Sequence, residues 1–446
     1  MGDEISIAWL AQQLSDRTTR GIALGTTALI RAGAIPVGAK LPPVRDLADA
    51  LGVSPATISS AWGALRKQRV IIGRGRNGAW VNTNDVTPRP IRFETPGNFG
   101  EHLRADLSLA VPDPALLPDL SHAFAAGAKA ASLNVYERAP IVPALRAAAE
   151  RHWPYPAPAY LAVNGGFSGV HLTLKSLLLS GSVVAVEDPT AARVLDNLDH
   201  LGAEVVPVAC DAEGPLPDSL AAALVKRPAA WFYQPRTHSV TGVSVSAARF
   251  EALRRLLLST DLLIIEDDGL GALSSAPPLS MGRHFPERTV HITSYSKAFG
   301  PDLRVGVLSG PVELVRQIHG YRNFSDRWTS RILQEAMAFL LTDTQSFATV
   351  ERARGIYAQR RQALVAALAQ RGVDCPAGDG LAIWLPVPSE PYALVTMAAH
   401  GYAVGAGSRN SLLPGRAHLR IGTSRLDSET QAIADALCLC CRNPDT

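Results

Sequence analysis

Cysteine is scarce, with five in 446 residues. Cys210 and Cys375 stand alone, and Cys438, Cys440 and Cys441 crowd the far end without a second Cys/His pair at zinc spacing. That usage argues against a disulfide framework, and no metal site is expected. Long apolar runs are missing too. No stretch of 18 apolar residues occurs, so no spanning helix is expected. The opening Met1-Gly2-Asp3-Glu4 lacks a basic stretch followed by an apolar one, so no secretory signal is read and the cytoplasm is the expected compartment. Charge is modest, at 19% of residues, while 47% are hydrophobic. Such a chain is neither disordered nor collagenous, and its length suits two or three domains with cores of their own.

The charge that is present is uneven. Residues 1–83 hold ten Lys+Arg against five Asp+Glu, a net of +5; residues 84–446 hold 33 against 35, a net of −2. A small basic head on a slightly acidic body suggests that the head meets a polyanion. The head also has a readable pattern. Thr18–Ala32 places Ile22, Leu24, Ala28, Leu29 and Ile30 at helical spacing, closed by Gly33 and Pro36. Pro43 opens a second helix over Val44–Leu51, and Gly52 suits its C-terminal cap. Ser54 is a good N-cap for a third helix from Pro55 to about Gln68. Two short helices joined by Gly52-Val53-Ser54 make a helix-turn-helix, whose second helix enters the major groove. Val70–Ile72 and Ala79–Val81 then flank the turn Gly73-Arg74-Gly75-Arg76-Asn77-Gly78, which reads as a hairpin wing with a doubly basic tip. A generic three-helix domain with solvated arginines is the plainer alternative.

The run Leu41-Pro42-Pro43-Val44-Arg45-Asp46-Leu47-Ala48, with Leu51–Ser54, Thr57 and Ala61-Trp62, resembles the winged-helix head of GntR-type bacterial regulators. The likeness covers nearly all of residues 18–83. It implies binding to a double-stranded DNA operator, with Arg45, Ser54, Thr57, Arg74 and Arg76 as contact candidates. Pro55 stands where that family often has arginine. Residues 84–105 contain Pro88, Pro90 and Pro96 and show no clear period, which suggests a linker of intermediate stiffness.

Residues 106–446 read as a large α/β fold. Short apolar runs recur at 182–187, 204–208, 229–233, 262–266, 290–293 and 305–308, with amphipathic stretches between several of them. The alternation implies a mostly parallel sheet covered by helices, with ligands beyond the carboxyl ends of its strands. Four such places carry chemistry. Asn164-Gly165-Gly166-Phe167-Ser168 opens a helix; glycines there let backbone N–H groups approach a phosphate, although a plain tight turn is the alternative. Glu266-Asp267-Asp268 ends a strand and could be a metal site, a helix cap or the partner of a cationic ring nitrogen. In Ser294-Tyr295-Ser296-Lys297 the lysine could form a Schiff base or be merely solvated. Arg304 follows as a plausible phosphate fork.

Together the set matches what pyridoxal 5′-phosphate (PLP) requires: a lysine for its aldehyde, a carboxylate for its ring nitrogen and donors for its phosphate. On these residues the body resembles the fold-type I aminotransferases. Head and body together resemble the MocR/GabR-type regulators, a winged helix fused to an aminotransferase-like domain. Other matching segments are Pro112-Asp113-Pro114, Val186-Glu187-Asp188-Pro189, Gln334-Glu335-Ala336, Tyr357 with Arg360-Arg361, and His418-Leu419-Arg420-Ile421-Gly422.

The resemblance implies that Lys297 holds the cofactor as an internal Schiff base and that Asp267 binds its ring nitrogen. Ser294, Ser296, Arg304 and the turn Gly165, Gly166, Phe167 would surround its phosphate. Arg420, helped by Arg193, would take the carboxylate of an incoming amino compound. It further implies a homodimer in which PLP, an amino acid or an amine alters the placement of two heads. The sequence departs from the pattern at three places. Gly269 replaces a tyrosine, Ala191 replaces a ring-stacking aromatic, and Ser239-Val240-Thr241-Gly242 alters a loop in which His238 or Ser239 could supply a missing hydrogen bond. The losses count against efficient turnover. The expectation is a regulator, and a working aminotransferase bearing a DNA-binding head is the alternative.

Overall fold

The computed structural model describes residues 5–31, 33–67, 70–73, 78–82, 90–94, 103–131, 133–136, 139–426 and 428–442. The chain divides into two compact units between residues 89 and 90.

The first unit packs helices Ile7–Gln13, Thr19–Arg31, Val44–Leu51 and Pro55–Lys67 beside a hairpin of β1 (Ile71–Gly73) and β2 (Ala79–Val81). The hairpin is antiparallel, with Ile72 opposite Trp80. Its buried core joins Ile22, Leu47, Leu51, Ile58, Trp62, Leu65, Ile71 and Val81. In Thr19–Arg31 the buried stripe runs through Ile22, Ala23, Thr26 and Ile30, so Leu24 and Ala28, expected inside, lie off it. Gly52 adopts φ 67° and its N–H closes helix Val44–Leu51 onto Ala48 and Asp49. That backbone is one a residue with a Cβ rarely adopts. Ser54 Oγ accepts the N–H of Thr57 at 3.2 Å and so caps helix Pro55–Lys67.

The second unit is α/β. Residues 90–94 form a turn closed by Phe93 N and Glu94 N on Pro90 O. β3 (Ala105–Leu107) joins a small sheet further on. The main sheet holds β4 (Ala159–Val163), β5 (Val183–Asp188), β6 (Glu204–Asp211), β7 (Gly214–Pro215), β8 (Ala230–Tyr233), β9 (Leu263–Asp268), β10 (Thr289–Ser294) and β11 (Gly306–Gly310). Their order is β4-β11-β10-β9-β8-β5-β6-β7. Pairings among β10, β9, β8, β5 and β6 are parallel. The central strands are apolar on both faces, as a sheet covered on both sides requires. β4 was not legible beforehand: Ala-Tyr-Leu-Ala-Val is short and hemmed by prolines.

Helix Thr344–Ala369 leads to the small sheet, completed by β12 (Ala382–Pro386), β13 (Tyr402–Ala406) and β14 (His418–Gly422) in the order β12-β14-β13-β3. Its own apolar core includes Leu364, Leu368, Ile383, Leu419, Ile421 and Leu437. Among the described residues no helix is long and apolar enough to cross a membrane.

Candidate functional site

The parallel strands β5, β8, β9 and β10 finish on one edge of the main sheet, and the body's candidate residues gather there. Side chains alternate along a strand, so the three consecutive acids of β9 cannot share one environment. Glu266 is consumed on one face: it accepts Tyr233 Oη and Met281 N at 2.6 Å, His291 Nδ1 lies 2.8 Å away, and Ser280 Oγ bonds to it as well. Asp268 is held by Arg236, whose Nη2 donates at 2.7 Å in a buried ion pair. Asp267 points the other way. Its only side-chain partner among the described residues is Gln234, whose Nε2 donates to Oδ2 at 2.6 Å. Burial pushes the Asp267 carboxyl up to about 6, Asp268 and Glu187 add to the rise, and the Gln234 bond opposes it.

Gln234 is a hub that the sequence reading did not single out, although it directly follows β8. Its N–H donates to Glu187 Oε1 at 2.8 Å, and its Oε1 accepts Ser239 N at 2.8 Å. It therefore ties β5, β9 and the altered loop together. At the end of β5, Asp188 accepts Leu412 N and Leu413 N at 2.7 and 3.1 Å, which anchors the small-sheet side of the pocket.

The glycine turn leads into helix Gly166–Leu177, with Gly165 at φ 91°. A Cβ on Gly165 would lie 3.0 Å from Arg304 Nη2, and one on Gly166 would lie 2.7 Å from Ser294 Cβ. The turn, Ser294 and Arg304 thus form a cradle that any side chain at these glycines would fill. Arg304 donates to Asn164 O at 2.8 Å from a left-handed backbone, φ 48°. Ser296 N sits 3.5 Å from Ser294 Oγ, at the start of the short helix Ser296–Phe299 that bears Lys297.

Lys297 Nζ donates to Ala110 O at 2.6 Å and has no acidic partner among the described residues. Burial pushes its ammonium down to about 8, and the charges of Arg420 and Arg193 push in the same direction. Arg420, on β14, donates through Nε and Nη2 to Ser239 O at 3.3 and 2.8 Å and meets no carboxylate among the described residues; burial lowers it to about 10. Arg193 lies between two rings, its guanidinium carbon 4.2 Å from the centroid of Phe167 and 4.7 Å from that of Phe93. It sits beside the cradle, within electrostatic reach of Arg304 as well as Lys297.

The departures have structural counterparts. A Cβ on Gly269 would stand 3.5 Å from Asp267 Oδ2 and 3.7 Å from Gln234 Nε2, so glycine leaves the space over that pair open. Ala191 caps helix Ala192–Leu201 with a methyl group only. Of the two substitutes in the altered loop, His238 is committed elsewhere. Its Nδ1 accepts Val240 N and Thr241 N at 3.2 Å, and its Nε2 faces Glu187 at 3.1 Å. Ser239 Oγ and His238 Nε2 are both buried without a hydrogen-bond partner among the described residues, and because Glu187 faces the imidazole, Ser239 is the less engaged of the two. The matching segments Pro112–Pro114, Tyr357 and Arg360 also meet: Asp113 N donates to Tyr357 Oη at 3.0 Å and Arg360 to the Asp113 carboxylate at 2.8 Å.

In the head, Arg45 and Ser54 are exposed and Thr57 is half-buried, its hydroxyl 2.9 Å from that of Ser54. Arg74 and Arg76 lie outside the described residues.

These features have counterparts in known proteins. Residues 107–437 match the family described as aminotransferase class I and II, and residues 18–81 match the bacterial regulatory proteins of the gntR family. The vitamin B6 salvage pathway transcriptional repressor PtsJ of Salmonella typhimurium is 33% identical over 411 residues, 91% of this chain and 94% of that protein. Among solved structures, the multiple substrate aminotransferase of Thermococcus profundus superposes with a TM-score of 0.70 at 19% identity, covering 79% of this chain and 93% of that one. The kynurenine aminotransferase of Pyrococcus horikoshii, solved with PMP, gives 0.69 at 18% identity, covering 75% and 89%. These two likenesses concern the fold alone.

Proposed function

Because the chain belongs to the aminotransferase class I and II family and carries a gntR-type head, it is a DNA-binding transcriptional regulator on an enzyme fold, and we propose that its body binds PLP as the sensed molecule, alone or together with an amino acid or amine. One observation carries this reading. Lys297, Arg193, Arg304 and Arg420 surround a glycine cradle with no carboxylate salt bridge to any of them among the described residues, and the one under-bonded acid, Asp267, lies across from them. Lys297, Arg193 and Arg420 are partly withdrawn from water and Arg304 is exposed beside them, and positive charges held together in this way favour an anion among them. The orphaned Ser239 Oγ and the cradle that a Cβ would fill both fit the group.

When bound, PLP supplies an aldehyde that condenses with an amine and a ring that withdraws electrons. The residues' own tasks follow from their states. At pH 7 a lysine near 8 has roughly a tenth of its amine free, against well under a thousandth for an ordinary one, so Lys297 is ready to react. Asp267, already mostly ionised at pH 7, would pair with the protonated ring nitrogen, with Gln234 fixing its orientation. Arg304, Ser294, Ser296 and the N–H groups of Gly165–Phe167 would hold the phosphate. Arg420 would take a carboxylate through a fork of charge-assisted hydrogen bonds, and Arg193 would add positive charge nearby.

The open positions at Gly269 and Ala191 remove grip on the ring, which suits a sensor whose occupancy follows supply better than an enzyme that keeps its cofactor. With the repressor named above spanning nearly the whole chain, we take the controlled genes to be ones that manage vitamin B6. A homodimer is part of the reading. Exposed rings that a second copy could cover are Tyr136, at 84% and edge-on to Trp328, and Phe324, at 89% and against Tyr321. The test is a PLP titration of the purified protein followed by visible absorbance, repeated with Lys297→Ala and in the presence of operator DNA. A colourless, unresponsive wild type would overturn the reading.

A further inference from the structure

The segment Pro90–Glu94 is the first described stretch of the body, and it is held in a particular way. The N–H groups of Arg92 and Phe93 donate separately to the two oxygens of Asp196, at 3.0 and 2.9 Å. The guanidinium of Arg92 pairs with Asp199. The Phe93 ring, 48% exposed, lies against Arg193. Arg193, Asp196 and Asp199 follow at intervals of three on helix Ala192–Leu201, so the segment is strapped along one face of it. On its other side Arg193 meets Phe167, the residue after the two cradle glycines. One cation therefore touches both the strap and the cradle.

We propose that Phe93 is a positioning residue for the anion site: it holds Arg193 against Phe167, so that binding of an anion in the cradle and docking of the Pro90–Glu94 strap strengthen one another. The inference rests on the reading of that cradle as the phosphate site of PLP. A guanidinium has two faces and a ring of in-plane N–H donors. Rings can occupy the faces while the donors serve an anion. The donors of Arg193 make no hydrogen bond among the described residues; Asp196, three residues on, partly offsets its charge, and the nearby charge of Arg304 repels it. An anion would thus complete the arrangement without displacing either ring. Because coupling between two binding events is reciprocal, whatever the strap adds to anion affinity, the anion returns to strap docking.

The two amides on Asp196 are natural reporters. In the full-length protein, hydrogen exchange at Arg92 and Phe93 is measured alone, with inorganic phosphate and with PLP, for wild type, Phe93→Ala and Phe93→Tyr. PLP affinity is measured in parallel by visible absorbance. In wild type both ligands should slow exchange at the two amides about three- to tenfold. Phe93→Ala should weaken PLP by the same factor and abolish the ligand effect on exchange, and Phe93→Tyr should restore both. A wild type that colours with PLP while its strap exchange is unchanged overturns this proposal and leaves the functional reading standing. A wild type that neither colours nor responds overturns both. Equal PLP affinity in Phe93→Ala and wild type reduces the stack to packing.

Discussion

Head and body hold their candidate residues in opposite ways. In the head, Arg45 and Ser54 stand in solvent, and Ser54 already has a structural duty as a helix cap. In the body, Lys297, Arg193 and Arg420 are partly withdrawn from water and make no salt bridge to a carboxylate among the described residues, and Asp267 is buried with one side-chain hydrogen bond among them. The difference follows from the expected ligand. A polyanion is met over a broad, hydrated surface through interactions that salt screens. A small anionic molecule can be enclosed, and groups desolvated beforehand need little rearrangement when it arrives. The body is therefore the place where removing functional charge can stabilise the empty protein, and the head is the place where it cannot.

That contrast can be tested hard. Lys297→Ala should remove all of the visible absorbance that PLP induces and all PLP-dependent change in operator affinity, while basal DNA binding stays within twofold; spectroscopy and anisotropy read the two. Arg420→Met should weaken the response to amino acids by about ten- to a hundredfold, the range for a hydrogen bond to a charged group, with PLP affinity little altered. For Asp267 the sign matters. Its carboxyl holds a proton up to about 6 when folded, against 3.8 when free. The folded body thus binds more protons than the unfolded one across that window, and its stability declines as pH rises from about 4 to 6. Asp267→Asn should flatten that decline and raise the melting temperature of the PLP-free protein at pH 7 by about 2 °C or more, as calorimetry would show. Smallest is Arg45→Ala: DNA affinity falls a few-fold and the salt slope by about one, with the body's titration and melting unchanged. A stabilising effect at Arg45, or a destabilising one at Asp267, would erase the distinction.

Much of this was legible in the sequence, because the chemistry sits where strands end. Six apolar runs marked six strands of the main sheet; Asp267 and Lys297 come shortly after two of them, and Arg304 directly precedes a third. What escaped was whatever depends on packing between distant segments. Nothing local tells which of three adjacent acids is free; that requires knowing that Tyr233, Ser280 and His291 claim Glu266 and that Arg236 claims Asp268. The choice between His238 and Ser239 likewise turned on a loop folding back onto its own histidine. Arg193, expected to help Arg420 with a carboxylate, is also packed between two phenylalanines, one of them from a segment read as linker, and that packing had no local signal. A proline-rich stretch carries no period, so its docking on Asp196 left no mark in the sequence.

The alternation along β9 also bears on how such a chain can change over generations. Inserting or deleting one residue inside β9, ahead of Glu266, would turn the end of the strand over, pointing two tethered acids into the pocket and hiding the free one. A change of length in the loop before Leu263 would be absorbed there and leave the pocket as it is.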